Sequence, residues 1–178
     1  MSKAKAFSLE AVQFVPVIVF AFSFLVGGGV NLDRAAALFV ISGIGAVIIT
    51  AALALKRAPL NPILLGTNLW LISGASAFGL PIPSVAALLG QIQAVGLYIC
   101  VFAVGAILTA VAPAGFIGMA HPDKKIVRKL SILLLLLSAV VLGWSYLFID
   151  NIRLGGGLPF ILLNITRRMI VRRNQQKS

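Results

Sequence analysis

The only histidine, His121, stands two residues before the carboxylate of Asp123. Such a pair could exchange a proton or ligate a metal ion. A metal site needs three or four ligands at suitable spacing, and no second histidine or nearby cysteine supplies them. His121-Pro122-Asp123 is therefore expected to be a solvated turn, with a lipid-directed reaction at His121 or Asp123 as the weaker reading. The other residues with chemical potential are uncharged. Gln13, Thr50, Asn68 and Asn164 interrupt long apolar runs. Amides and hydroxyls in apolar surroundings seek partners. They can join helices, which is the first expectation, or line the path of a small molecule, which is the second. No Ser-His-Asp set, phosphate-binding glycine loop or dinucleotide fingerprint occurs. No catalytic residue, metal or cofactor is assigned, and the chain is not expected to be an enzyme.

The composition says where these residues must work. The chain has 178 residues, 60% hydrophobic and only 11% charged, with a mean hydropathy of +1.07. A soluble domain carries about 25% charged residues, and one this apolar would expose patches large enough to aggregate. Runs such as Ala35–Leu55 and Leu130–Ile149 lack the alternation of a β-barrel strand and have the length of a transmembrane helix. The lone Cys100 permits no intrachain disulfide. The apolar stretch after the basic N-terminus is longer than the core of a secretory signal and is read as a retained span.

The expectation is an all-α polytopic integral membrane protein. It is a single domain over residues 1–178, a bundle of six transmembrane helices at about 7–30, 35–55, 63–80, 85–112, 130–149 and 154–171. Gly27-Gly28-Gly29 should close the first span, and Asn31-Leu32-Asp33-Arg34 should form a turn. The second span, rich in Ser, Gly and Ala, should sit inside the bundle, where small residues let helices approach. Pro81-Ile82-Pro83 should make a tight hairpin, and Pro113–Ala120 an interfacial segment. Gln91 and Gln93 in the fourth span are two apart and cannot share a helix face, so one should pack inward.

The last span is the least apolar, and Gly155-Gly156-Gly157 should form an irregular entry to it. The basic residues argue for it. With six spans, Lys3, Lys5, Lys56, Arg57, Lys124, Lys125, Arg128, Lys129, Arg167, Arg168, Arg172, Arg173 and Lys177 share one side, leaving only Arg34 and Arg153 on the other. The positive-inside rule then puts both termini in the cytoplasm, in a bacterial plasma (inner) membrane. Arg167 and Arg168 should snorkel to the headgroups. Lys124, Lys125, Arg128, Lys129, Arg167, Arg168, Arg172 and Arg173 are the candidate contacts for anionic lipid, which accounts for the net charge of +11 without nucleic acid.

At 1.5 Å per residue, Gln13, Thr50, Asn68 and Asn164 should lie roughly 8–11 Å below that surface, as one polar layer. The expected role is a structural or assembly component of a membrane complex, with membrane lipids and a membrane-protein partner or second copy around it. The alternative is a small-molecule transporter or channel lined by amides and hydroxyls.

Overall fold

The computed structural model describes residues 11–26, 32–80 and 82–175. Among these the chain is helical with short turns, and it divides into two compact units, Met1–Gln91 and Ile92–Ser178. The first holds α1 (Val15–Val26), α2 (Leu32–Leu55), α3 (Pro62–Gly79) and the start of α4 (Pro83–Val111). The second holds the rest of α4, α5 (Lys124–Leu147), a π-helical turn (Ile152–Gly157) and α6 (Leu158–Gln175). Among the described residues four segments are long and apolar enough to cross a membrane: Ala35–Leu55, Pro83–Val111, Lys124–Leu147 and Ile152–Asn174. Their exposed faces carry Ile44, Val47, Ile48, Ile107, Leu133, Leu136, Ile161 and Leu162, which suits lipid rather than water.

In the first unit α2 and α3 are packed through missing side chains. A Cβ built on Gly43 would meet the Ala75 Cβ at 2.4 Å and the Leu71 carbonyl oxygen at 2.7 Å. One built on Gly74 would meet the Phe39 ring at 2.1 Å. The backbones approach this closely only because those positions are bare. Phe39 centres an aromatic cluster, its ring centroid 4.6 Å from Phe20, 5.9 Å from Trp70 and 5.5 Å from Phe78. Within this unit one face of α2 is packed. Ser42, Gly43, Ala46 and Leu53 are buried, while Ile41, Ile44, Val47 and Ile48 are exposed. Within this unit Ser42, Gly43 and Ala46 mark the packed stripe of α2, and the β-branched residues between them lie off it.

Helix ends follow local chemistry. α2 stops in a Schellman turn: the Ala58 amide donates to the Leu53 carbonyl and the Arg57 amide to the Ala54 carbonyl. Arg57 holds the left-handed position, φ 50°, where glycine is usual. Asn61 caps α3 by accepting from the Ile63 amide at 3.1 Å, with Pro62 as the first helical residue. α2 begins at Leu32, so the expected turn through Arg34 is helical instead. Gly27–Gly29, Asn31 and Pro81 lie outside the described residues.

α4 breaks at Gln93, φ 40° and ψ −124°, two residues past the boundary between the units. Gln91 and Gln93 are both exposed, so neither packs inward as expected. The break rotates the backbone and removes the helical geometry on which that expectation rested. α5 also starts earlier than expected. Asp123 accepts from the Lys125 amide at 2.8 Å and caps the helix, so Lys124, Lys125, Arg128 and Lys129 lie on its first two turns rather than in a loop.

Candidate functional site

The connection from α4 to α5 is the most heavily built part of the second unit. α4 ends at Val111, and two left-handed glycines, Gly115 (φ 58°) and Gly118 (φ 66°), curl the chain back on itself. The curl drives Phe116, Ile117 and Met119 into the unit, and all three are buried. The Phe116 ring fills the gap beside Gly105 of α4, where a Cβ would stand 2.8 Å from it. Pro113–Ala120 is thus a turn-rich loop rather than a continuation of α4. Its apolar side chains have a protein site to enter, created by the absence of side chains at Gly105 and Gly115.

Two polar groups hold the inserted loop. The Ile117 amide donates to Ser131 Oγ of α5 at 3.2 Å. Arg167 Nε of α6 donates to the Ile117 carbonyl at 3.0 Å. One residue thus has both main-chain polar groups satisfied by different helices, as a buried peptide requires. Arg167 is only 8% exposed. It was expected to reach headgroups, but the loop carbonyl takes the place of the headgroup. Arg172, Arg173, Lys124, Lys125, Arg128 and Lys129 remain exposed, and Arg168 is half-buried.

Ser131 belongs to a set that hydropathy alone passes over. Ser131, Ser138 and Ser145 recur every seven residues, each preceded by an apolar residue, Val127, Leu134 and Val141, and all six are buried on one stripe of α5. Alternating steps of three and four residues form the seam of closely packed helices. Among the leucines of α5 the serines look like interruptions, and their spacing is the signal that they face protein. Ser138 Oγ donates to the Leu135 carbonyl at 2.7 Å, whereas Ser145 Oγ is buried without a partner.

The opposite end of α5 meets the glycine-rich turn. Asn151 Oδ1 accepts from the Arg153 amide at 3.2 Å and the Leu154 amide at 3.1 Å. Trp144 Nε1 donates to the Leu154 carbonyl at 3.1 Å, and the buried Tyr98 hydroxyl donates to the Gly156 carbonyl. Gly155 lies against the Phe148 carbonyl, where a Cβ would come within 2.5 Å. The polar tips of Tyr98 and Trp144 thus clamp the widened turn that begins the last helix.

The candidate polar layer is divided. Asn68 Nδ2 donates to Thr50 Oγ1 at 2.9 Å, joining α3 to α2. Gln13, 3% exposed, works at another level: Nε2 donates to the Pro59 carbonyl at 3.2 Å and Oε1 accepts from the Asn61 amide at 2.7 Å. Asn61 and Asn68 are two turns apart on α3, about 10 Å along its axis. Gln13 therefore fastens the α2–α3 link, while Thr50 and Asn68 act deeper. Asn164 belongs to the second unit and donates to the Phe160 carbonyl of its own helix at 3.0 Å. Asn68 Oδ1 and Ser42 Oγ are buried with no hydrogen-bond partner.

His121 Nδ1 accepts from the Asp123 amide at 3.0 Å, and the Asp123 carboxylate caps α5, so both groups serve a local turn. Among the described residues no three His, Cys, Asp or Glu side chains gather where a metal could sit. No family model, curated protein or solved structure matches the chain.

Proposed function

We propose that this chain is a structural or assembly component of a membrane complex, a six-span protein of the bacterial inner membrane with both termini in the cytoplasm. The observation that carries the reading is the use of the buried polar groups. Gln13 fastens a link, Asn68 joins two helices through Thr50, Arg167 and Ser131 hold a loop, and Tyr98 clamps a turn. Each bond runs from one element of the fold to another, which is the pattern of a scaffold. The division of basic residues supports the topology, and the exposed cations on α5 and α6 support attraction to anionic headgroups at that face.

The test is gentle solubilisation of the tagged full chain, followed by native electrophoresis and a deletion strain. The expected result is a larger complex containing a second membrane polypeptide in fixed ratio, whose assembled fraction falls when this chain is deleted. Recovery of the chain alone, with no assembly defect on deletion, refutes the reading. A reporter fused to the C-terminus that faced away from the cytoplasm would refute the topology separately.

One observation favours a second reading, a small-molecule transporter or channel. Asn68 Oδ1 and Ser42 Oγ are buried acceptors left unpaired in the α2–α3 unit, and unpaired buried polar atoms call for an explanation. On this reading Asn68→Ala and Asn164→Ala change solute flux in reconstituted vesicles while the protein stays folded. Unaltered flux in both variants would remove it.

A further inference from the structure

Between α5 and α6 runs a crevice of about 390 Å³, lined by Leu133, Leu134, Leu136, Leu137 and Val140 on one side and Thr166 and Ile170 on the other. The two helices are antiparallel here. Ser131 and Arg167 meet at Ile117, while Trp144 of α5 meets Leu154 ahead of α6. One turn beyond the crevice, towards the start of α5, Lys129 lies four residues before Leu133 and Arg173 three after Ile170. Such spacings keep residues on one helix face. Both side chains are exposed, so an apolar slot ends at two cations, one from each wall.

We infer that this crevice holds one acyl chain of an anionic phospholipid whose phosphate is bound by Lys129 and Arg173. The chemistry matches that ligand: mostly leucine, valine and isoleucine for the chain, then one exposed cation from each helix beyond it. The volume is that of a small-ligand site. A helix is 10–12 Å across and would displace roughly 1,000 Å³ over the two turns that Leu133–Val140 span, so a partner helix would rest on the rim rather than enter. The site rests on the proposed placement of the basic end at an anionic leaflet, and it adds to diffuse attraction a fixed position and stoichiometry.

The test is native mass spectrometry of the full chain from mild detergent, titrated with phosphatidylglycerol and separately with phosphatidylcholine. The expected result is one tightly retained phosphatidylglycerol that phosphatidylcholine does not replace. Lys129→Gln with Arg173→Gln should weaken it about 30-fold, the equivalent of about 2 kcal/mol for two charges near the surface. Lys56→Gln with Arg57→Gln, an equal loss of charge in the other unit, should leave it within about twofold. Val140→Trp should abolish it by filling the slot.

In the unaltered protein, phosphatidylglycerol with a photoactivatable acyl chain should label 133–140 and 166–170, which tests the slot even if the tryptophan variant fails to fold. Equal weakening by both charge pairs would overturn the site and leave only diffuse attraction. Equal retention of phosphatidylcholine, labelling elsewhere, or a protein cross-linked into the crevice would also overturn it. The C-terminal reporter fails independently of these outcomes, so a wrong topology and a wrong site are told apart.

Discussion

Replacing Arg167 by methionine tests whether the inserted loop is held by the last helix. Methionine keeps most of the side-chain volume and removes the donor. The Ile117 carbonyl belongs to a fully buried residue and accepts from Arg167 at 3.0 Å. A hydrogen bond from a charged donor contributes about 1.5–3 kcal/mol, and orphaning a buried acceptor costs about 1–3 kcal/mol; these are two views of one loss and do not add. Removing a charge from a site only 8% exposed returns some desolvation energy. The expected net destabilisation is about 2 kcal/mol.

The assay is reversible unfolding of the purified full chain in mixed micelles, followed by tryptophan fluorescence, with Arg172→Met as an exposed control expected to stay within about 0.5 kcal/mol. Ser131→Ala removes the acceptor for the Ile117 amide, so the two substitutions should be coupled by more than about 0.5 kcal/mol in a double-mutant cycle. If Arg167→Met behaved like Arg172→Met, or the cycle were additive, the account of Ile117 as a residue held from two helices would be wrong.

Gly115→Ala should destabilise by about 3 kcal/mol in the same assay, because alanine at φ 58° is strained and its Cβ would stand 2.1 Å from Ser131 Oγ. Arg57→Gly should stabilise by about 1 kcal/mol, since Arg57 holds a left-handed φ of 50° inside a Schellman turn; no gain would show that its side chain repays the strain. Tyr98→Phe should cost about 1 kcal/mol and raise amide hydrogen exchange across Ile152–Gly157, whose Gly156 carbonyl accepts from the hydroxyl. Unchanged exchange there would mean the turn holds without its clamp.

The elements were legible where apolar length and punctuation agree. The span expected at 35–55 ends where α2 does, at Leu55, and the one expected at 63–80 matches Pro62–Gly79 to within a residue at each end. Legibility failed where three-dimensional pairing decides. Gln13 sits at helical depth by residue count, yet its amide reaches a link 46 residues further on. Nothing local separates Arg167 from Arg168; only the carbonyl that the inserted loop presents makes one of them a structural residue. The loop is itself hidden in sequence, because Phe116, Ile117 and Met119 look equally suited to an interface. What places them inside is the pair Gly105 and Gly115, whose importance lies in the atoms they lack.

The basic end of the second unit is supported unequally by its two helices. α6 ends with Arg172 and Arg173 in its last turn, where the negative end of the helix dipole favours cations. α5 begins with Lys124 and Lys125 and carries Arg128 and Lys129 on the next turn, close to the positive end of its own dipole. Lys124 and Lys125, in the first turn, are each opposed by about 0.3–1 kcal/mol, and the cap on Asp123 brings one carboxylate against four positive charges. The helix cannot itself account for so many cations at its start. On the proposed placement at an anionic leaflet, phosphate headgroups would supply about 1 kcal/mol of attraction per charge. On that placement the anionic surface would offset a dipole penalty at the start of α5, whereas Arg172 and Arg173 are already favoured by the dipole of α6.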